Sequence, residues 1–258
     1  MSTVLYSSPV FGPIHSRRLG VSLGINLMPA DGKICTFDCI YCECGYNRSH
    51  RTTSPRPTRI EVATALEERL QDMTYNGPKP DVLTFAGNGE PTLHPDFAGI
   101  VDDVVRLRDE YFPQAKISVL SNATQTPRPE VRRALMRVDN NIQKLDTVNP
   151  DYIRRLNRPH HSYDVNTIID ALKRFHGHVI IQTMFLSGTG GEESIDNTGD
   201  EYVLPWIEKL KEIAPMEVMI YTIDRETPDR KLRKASPEAL DRIVALIEKA
   251  GIPATASY

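Results

Sequence analysis

Between residues 19 and 250 one pattern recurs: a short apolar run, a polar or glycine-containing turn, then a stretch with apolar residues at helical spacing. The apolar runs are 19–27 (LGVSLGINL), 82–86 (VLTFA), 116–120 (KISVL), 141–145 (NIQKL), 178–185 (HVIIQTMF) and 217–221 (EVMIY). The first helical stretch follows Thr58 and places Val62, Leu66, Leu70 and Met73 on one face. Others are expected near 96–110, 130–137, 164–175, 201–213 and 236–250. Six strand-then-helix units imply a parallel sheet, because right-handed crossovers carry each helix to the outside. Such a chain can close into a doubly wound open sheet or an incomplete barrel, and periodicity alone does not separate them. In both, binding groups gather at the C-terminal ends of the strands. Chemistry is therefore sought just after each apolar run.

The 258 residues can bury a core without disulfide staples. All four cysteines, Cys35, Cys39, Cys42 and Cys44, fall in one ten-residue window. Disulfides that stabilise a fold join distant parts of a chain, whereas thiols this close read as a metal or cluster site in a reducing compartment. A formal net charge of -3 supplies no global positive field for nucleic acid. No apolar run approaches the roughly 20 residues of a membrane span, and MSTVLYSSPVFGP lacks the basic-then-apolar order of a signal peptide. A cytoplasmic location is expected.

The spacing Cys35-x3-Cys39-x2-Cys42 sits on a loop after the first strand, with Gly32 and Gly45 near its ends. Such a loop can wrap a cube of iron and sulfide, three irons each taking one thiolate and the fourth remaining open. An open iron can bind a small molecule through amino and carboxylate groups. Zinc is the alternative, since thiolates suit both metals, but zinc elements usually pair C-x2-C units and no second pair exists here.

With Tyr41 directly before the last ligand, the C-x3-C-x2-C stretch resembles the signature of the radical S-adenosylmethionine (SAM) superfamily. The resemblance implies a partial (β/α)6 TIM-like barrel carrying one 4Fe–4S cluster on Cys35, Cys39 and Cys42. It implies SAM on the unique iron, reductive cleavage to a 5′-deoxyadenosyl radical, Tyr41 near the adenine, and a reductase partner such as flavodoxin or ferredoxin. The second strand runs into FAGNGEPTLHP, which is similar to the family's GGE-type motif for the SAM amino group, with Asn88 replacing its central glycine. Gly87 and Gly89 permit close backbone approach, and Glu90 can accept hydrogen bonds from an ammonium or simply open a helix.

The third strand ends in Ser121 and Asn122, suited to ribose hydroxyls or to an ordinary turn. Lys144 and Asp146 share a face of the fourth strand; Lys144 is a candidate for the SAM carboxylate, Asp146 for substrate or a supporting pair. Gln182 on the fifth strand can meet SAM or substrate, beside a packing Met184. Thr222, Asp224 and Arg225 follow the sixth strand at the rim, Asp224 and Arg225 as candidate substrate residues or a solvated pair.

The resemblance spans most of the chain, read as one domain with an N-terminal extension (1–18), a partial barrel (19–250) and a C-terminal tail (251–258). SRRLG-x-SLG, CTFDCIYC and GNGEPTLHP together resemble the branch that includes the tRNA wyosine synthases. No cysteine set for a second cluster is present. Arg48, Arg51, Arg56 and Arg59, with Arg154, Arg155 and Arg158, could hold phosphates of an RNA substrate or be solvated loops. His160 and His161 lack metal-ligand spacing. Cys44 is a spare thiol, incidental or substrate-handling. A glycyl-radical activase and a zinc-stabilised binding module without turnover are the other readings.

Overall fold

The computed structural model describes residues 4–16, 19–190 and 193–258. Arg17 and Arg18 of the SRRLG motif lie outside the described residues. In chain order the strands are β1 (Val10–Ser16), β2 (Gly20–Ile25), β3 (Val82–Phe85), β4 (Lys116–Ser121), β5 (Asn140–Lys144), β6 (Ile180–Met184), β7 (Leu186–Gly190), β8 (Glu193–Ser194), β9 (Glu217–Tyr221), β10 (Leu232–Lys234) and β11 (Ala254–Ser257). The α-helices are α1 (Arg59–Tyr75), α2 (Phe97–Tyr111), α3 (Pro129–Leu135), α4 (Pro150–Leu156), α5 (Val165–Lys173), α6 (Asp200–Ile213) and α7 (Pro237–Lys249).

The main sheet has eight strands in the order β1-β2-β3-β4-β5-β6-β9-β11. Every neighbouring pair from β2 to β11 is parallel, and only β1 runs antiparallel to its neighbour. Strand order follows chain order, so each crossover steps the same way and the sheet curls into a half-barrel rather than reversing as a doubly wound sheet does. The two alternatives left open by periodicity are thereby resolved in favour of the partial barrel. The stretch read as an N-terminal extension supplies β1. The C-terminal tail supplies β11, a seventh parallel strand that its ATAS sequence, with little apolar bulk, does not announce.

Period-two alternation sorts the strand residues. Leu83 and Phe85, Ile117 and Val119, Ile181, Val218 and Ile220 join helix residues in one buried cluster. α1 contributes Val62, Leu66, Leu70 and Met73, the face expected from its spacing. Its N-terminus is closed by a capping box between Thr58 and Glu61. Residues on the opposite strand face, including Leu120, Lys144, Gln182 and Tyr221, look into the barrel.

Beyond β1 and β11, a helix and a small sheet went unread in the sequence. α4 is seven residues long and begins at Pro150, capped by the Asn149 side chain; it is too short to show a period. A small sheet, β10-β7-β8, sits beyond the end of β6 and uses residues taken for loop. No helix among the described residues is long and apolar enough to cross a membrane.

Candidate active site

A cavity of about 280 Å³ opens at the C-terminal ends of the strands. Its wall brings together Cys35, Cys39, Cys42, Tyr41, Gly87, Gly89, Glu90, Ser121, Asn122, Lys144, Gln182, Asp224 and Arg225, residues at or after the ends of six strands. The loop that carries the cysteines is held from both sides. Ile34 N–H donates to Asn88 O and Glu90 N–H to Ile34 O, bridging the loop to the turn after β3. Asp38 N–H donates to Asn157 O, and Ile40 N–H to Leu156 O, fixing it to the end of α4. Gly89 is needed here for a physical reason: its φ is +133°, and a Cβ would stand 1.9 Å from Ile34 O.

The three thiols are free, not disulfide-bonded. Phe37 N–H and Asn122 Nδ2 reach Cys35 Sγ at 3.5 Å, and Asn157 Nδ2 reaches Cys39 Sγ at 3.5 Å. N–H donors aimed at sulfur suit thiolates bound to a cluster, whose charge they offset. Burial pushes the Cys35 and Cys39 thiols up to about 12 and about 11. Among the described residues no group of three His, Cys, Asp or Glu side chains converges for a single metal ion. One zinc needs its sulfurs all about 2.3 Å away. A cube instead spreads its thiolates over three separate irons. The donor set fits the cube.

Glu90 is buried and does both things considered for it. Its carboxylate lines the cavity and also caps the short 3-10 turn Pro91–Leu93, accepting from Thr92 N–H at 3.1 Å and Thr92 Oγ1 at 2.5 Å. Asn122 N–H donates to it at 2.6 Å. Burial pushes its pKa up, against these donors.

Asn88 departs from the expectation. It is not part of the cavity wall; its side-chain amide donates to Tyr6 O and Pro29 O, and its Oδ1 accepts from Tyr6 N–H. An asparagine in place of the motif's glycine thus pins the N-terminal segment. The Asn122 side chain is likewise occupied, donating to Thr36 Oγ1 at 2.8 Å and accepting from Thr124. Asp224 and Arg225 do not pair with each other as a solvated couple. Arg225 Nη1 donates to Tyr6 OH at 2.9 Å and lies 2.8 Å from Glu43, while Asp224 faces Lys234 at 3.9 Å.

Lys144 does lie beside Asp146, Nζ to Oδ1 3.5 Å, and donates to Tyr221 OH at 3.0 Å. Burial works against its charge, but Asp146, Tyr221 and Cys39 outweigh it and hold its pKa above the usual lysine value. Asp146 lies behind the wall rather than in it, fully buried, accepting from Tyr41 OH, Asn157 Nδ2 and Met184 N–H. Cys44 is also outside the wall: its thiol donates to Gly87 O at 3.3 Å.

Sequence reasoning missed Lys33, Phe37, Glu43 and Tyr221, all in the wall. Tyr221 sits where β9 alternation points inward, a signal available in EVMIY. Lys33, two positions before Cys35, carried none. A larger cavity, about 1060 Å³, opens where β3, β4 and β9 begin, and its wall holds no thiol or imidazole.

Residues 31–198 match the family model of the radical SAM superfamily, covering the cysteine loop through the β6–α6 connection. The chain belongs to the radical SAM superfamily. It is 31% identical over 245 residues to a UPF0026 protein of Methanocaldococcus jannaschii, spanning 93% of this chain and 71% of that one. A UPF0026 protein of Synechocystis is 31% identical over 223 residues, 85% of this chain and 77% of that protein. Among solved structures, a radical SAM methyltransferase from Sphaerobacter thermophilus superposes with a TM-score of 0.67 at 17% identity, covering 92% of this chain and 66% of that one. Streptococcus suis SuiB bound to SAM gives 0.63 at 15%, covering 88% and 49%. At these identities the structural likeness concerns the barrel alone. Radical SAM enzymes use a 4Fe–4S cluster and SAM and require an external electron donor.

Proposed function

We propose that this radical SAM enzyme cleaves SAM reductively at a single 4Fe–4S cluster held by Cys35, Cys39 and Cys42, and abstracts a hydrogen atom from a substrate. One observation carries the reading: three free thiols share a cavity wall with the buried Glu90 carboxylate. When bound, the cluster supplies the electron that splits SAM into methionine and a 5′-deoxyadenosyl radical, which takes the substrate hydrogen.

The chain's own residues bind and orient. Glu90 would hold the SAM ammonium, and Lys144, held charged beside Asp146, would meet its carboxylate. The backbone of Gly87 and Gly89 allows close approach, and Ser121 and Gln182 present polar groups to the remainder of the ligand. Tyr41, Phe37 and Met184 keep the pocket floor apolar and exclude water. Asn122 acts on the loop through Thr36 and Cys35 instead of on ribose. Asp224 and Arg225 form the rim where substrate enters.

The donor is a flavodoxin or ferredoxin in the cytoplasm, and the substrate is a small molecule, a protein or an RNA. A tRNA substrate finds support in exposed Arg48 and Arg158, whose guanidiniums both lie within 5.6 Å of the Tyr46 ring on the cluster-loop side.

The test is anaerobic reconstitution. The expected result is brown protein with a cluster EPR signal that changes on adding SAM, and reductant-dependent 5′-deoxyadenosine whose yield rises with cell extract or RNA. A colourless protein that takes up only zinc overturns the reading in favour of a binding module.

A further inference from the structure

Lys33 is a buried charge that the SAM chemistry above does not use. Its side chain is 1% exposed. The ammonium donates to Gly45 O at 2.6 Å and stands 3.7 Å from Asp38 Oδ1. Its backbone is fixed as well: Lys33 N–H donates to His50 O, and the preceding Gly32 is wedged so tightly against Thr52 that a Cβ would meet it at 2.6 Å.

An isolated ammonium this deep is costly unless anions surround it. Asp38 is one, but it is only half committed: its Oδ1 also accepts from Asn47 N–H at 2.8 Å and Asn47 Nδ2 at 3.2 Å, and its side chain retains 18% exposure to water. The ion pair with Asp38 holds the ammonium charged, and Lys33 lines the same cavity wall as Cys35, Cys39 and Cys42.

We propose that Lys33 is the built-in counter-charge of the cluster and sets its reduction potential. This rests on the assignment of Cys35, Cys39 and Cys42 as ligands. One-electron reduction adds a negative charge to a group whose three thiolates already carry three. A fixed, buried cation in the same wall as those sulfurs stabilises the reduced form over the oxidised one, as do hydrogen bonds to cluster sulfur. Asp38, 3.7 Å from the ammonium, pulls the other way. Lys33 is a tuning residue, acting by its charge and not on substrate.

The experiment is an EPR-monitored redox titration of the reconstituted full chain without SAM or substrate, so that activity plays no part. Lys33→Met is expected to make the cluster at least tenfold harder to reduce, 59 mV for one electron. Asp38→Asn is expected to make it easier to reduce, and Lys33→Arg to stay within threefold of the parent. Equal potentials in parent, Lys33→Met and Asp38→Asn overturn the proposal. Should Lys33→Met fail to retain a cluster, Asp38→Asn decides alone: a raised potential supports the counter-charge, an unmoved one overturns it. If the parent chain itself holds no cluster, the ligand assignment falls first. A clustered parent with unmoved variants removes only the role of Lys33.

Discussion

The phenol of Tyr41 donates to the carboxylate of Asp146, tying the cysteine loop after β2 to the end of β5. The same carboxylate accepts from Asn157 Nδ2 at 2.8 Å and Met184 N–H at 2.9 Å, and faces Lys144. Asn157 in turn reaches Cys39 Sγ. One buried acid therefore holds a cluster-loop aromatic, the cation in the cavity wall and the α4 terminus in register. Removing it leaves Lys144 and the donors without their acceptor. Asp146→Ala is expected to cost about 3–5 kcal/mol, the usual penalty for breaking one side of a buried pair. Tyr41→Phe, which removes one donor only, should cost about 1–3 kcal/mol. Urea midpoints measure both. Equal costs would mean that Asp146 is not the hub.

Cys44 and Cys35 should behave oppositely. The Cys44 thiol lies behind the cavity wall and donates to Gly87 O. Cys44→Ala is expected to reconstitute with the iron and sulfide content and visible absorption of the parent, at a stability cost of about 1 kcal/mol for the lost hydrogen bond. Cys35→Ala should lose the chromophore. Loss of the cluster in Cys44→Ala would make it a ligand.

These pairings also mark how far the sequence could be read. Strand alternation located the cavity, because Lys144 and Gln182 had to share an inward face, and cysteine spacing located the loop. Contacts between distant loops were silent. Nothing in GNGEP distinguishes an Asn88 that faces a ligand from one that grips Tyr6, 82 residues away. Lys33 looks like any surface lysine until Gly45 and the thiols close over it. Asp224 and Arg225, neighbours in sequence, found separate partners because consecutive side chains diverge. β1 and β11 were missed because edge strands need less apolar bulk than central ones.

Two glycines separate backbone freedom from backbone space. Gly77 and Gly89 both have positive φ, +89° and +133°. Around Gly77 nothing lies within 4 Å, so Gly77→Ala pays only for its torsion, about 1–3 kcal/mol. At Gly89 the new Cβ also meets Ile34 O at 1.9 Å, and that carbonyl accepts from Glu90 N–H. Gly89→Ala is expected to cost more than Gly77→Ala in urea and, unlike it, to reduce iron uptake on reconstitution. Equal iron contents would show that the Ile34–Gly89 bridge does not shape the cysteine loop.

His94 gives the turn after β3 a pH dependence of known sign. Its ring is buried with Nε2–H donating to Pro57 O at 2.8 Å and Nδ1 accepting from Asp96 N–H at 3.1 Å, so the neutral tautomer fills both positions. Burial lowers its pKa below the usual histidine value, and Arg56 adds to the effect. Protonation therefore favours the unfolded chain, whose histidine titrates near about 6.5. The stabilisation is complete above that pH and is lost as pH falls from there through the folded-state pKa. His94→Gln has no such group to titrate. Urea midpoints measured from pH 7.5 downward should show the parent's advantage over His94→Gln at its largest above pH about 6.5 and shrinking below it. A constant difference across that range would mean that the ring is protonated equally in both states.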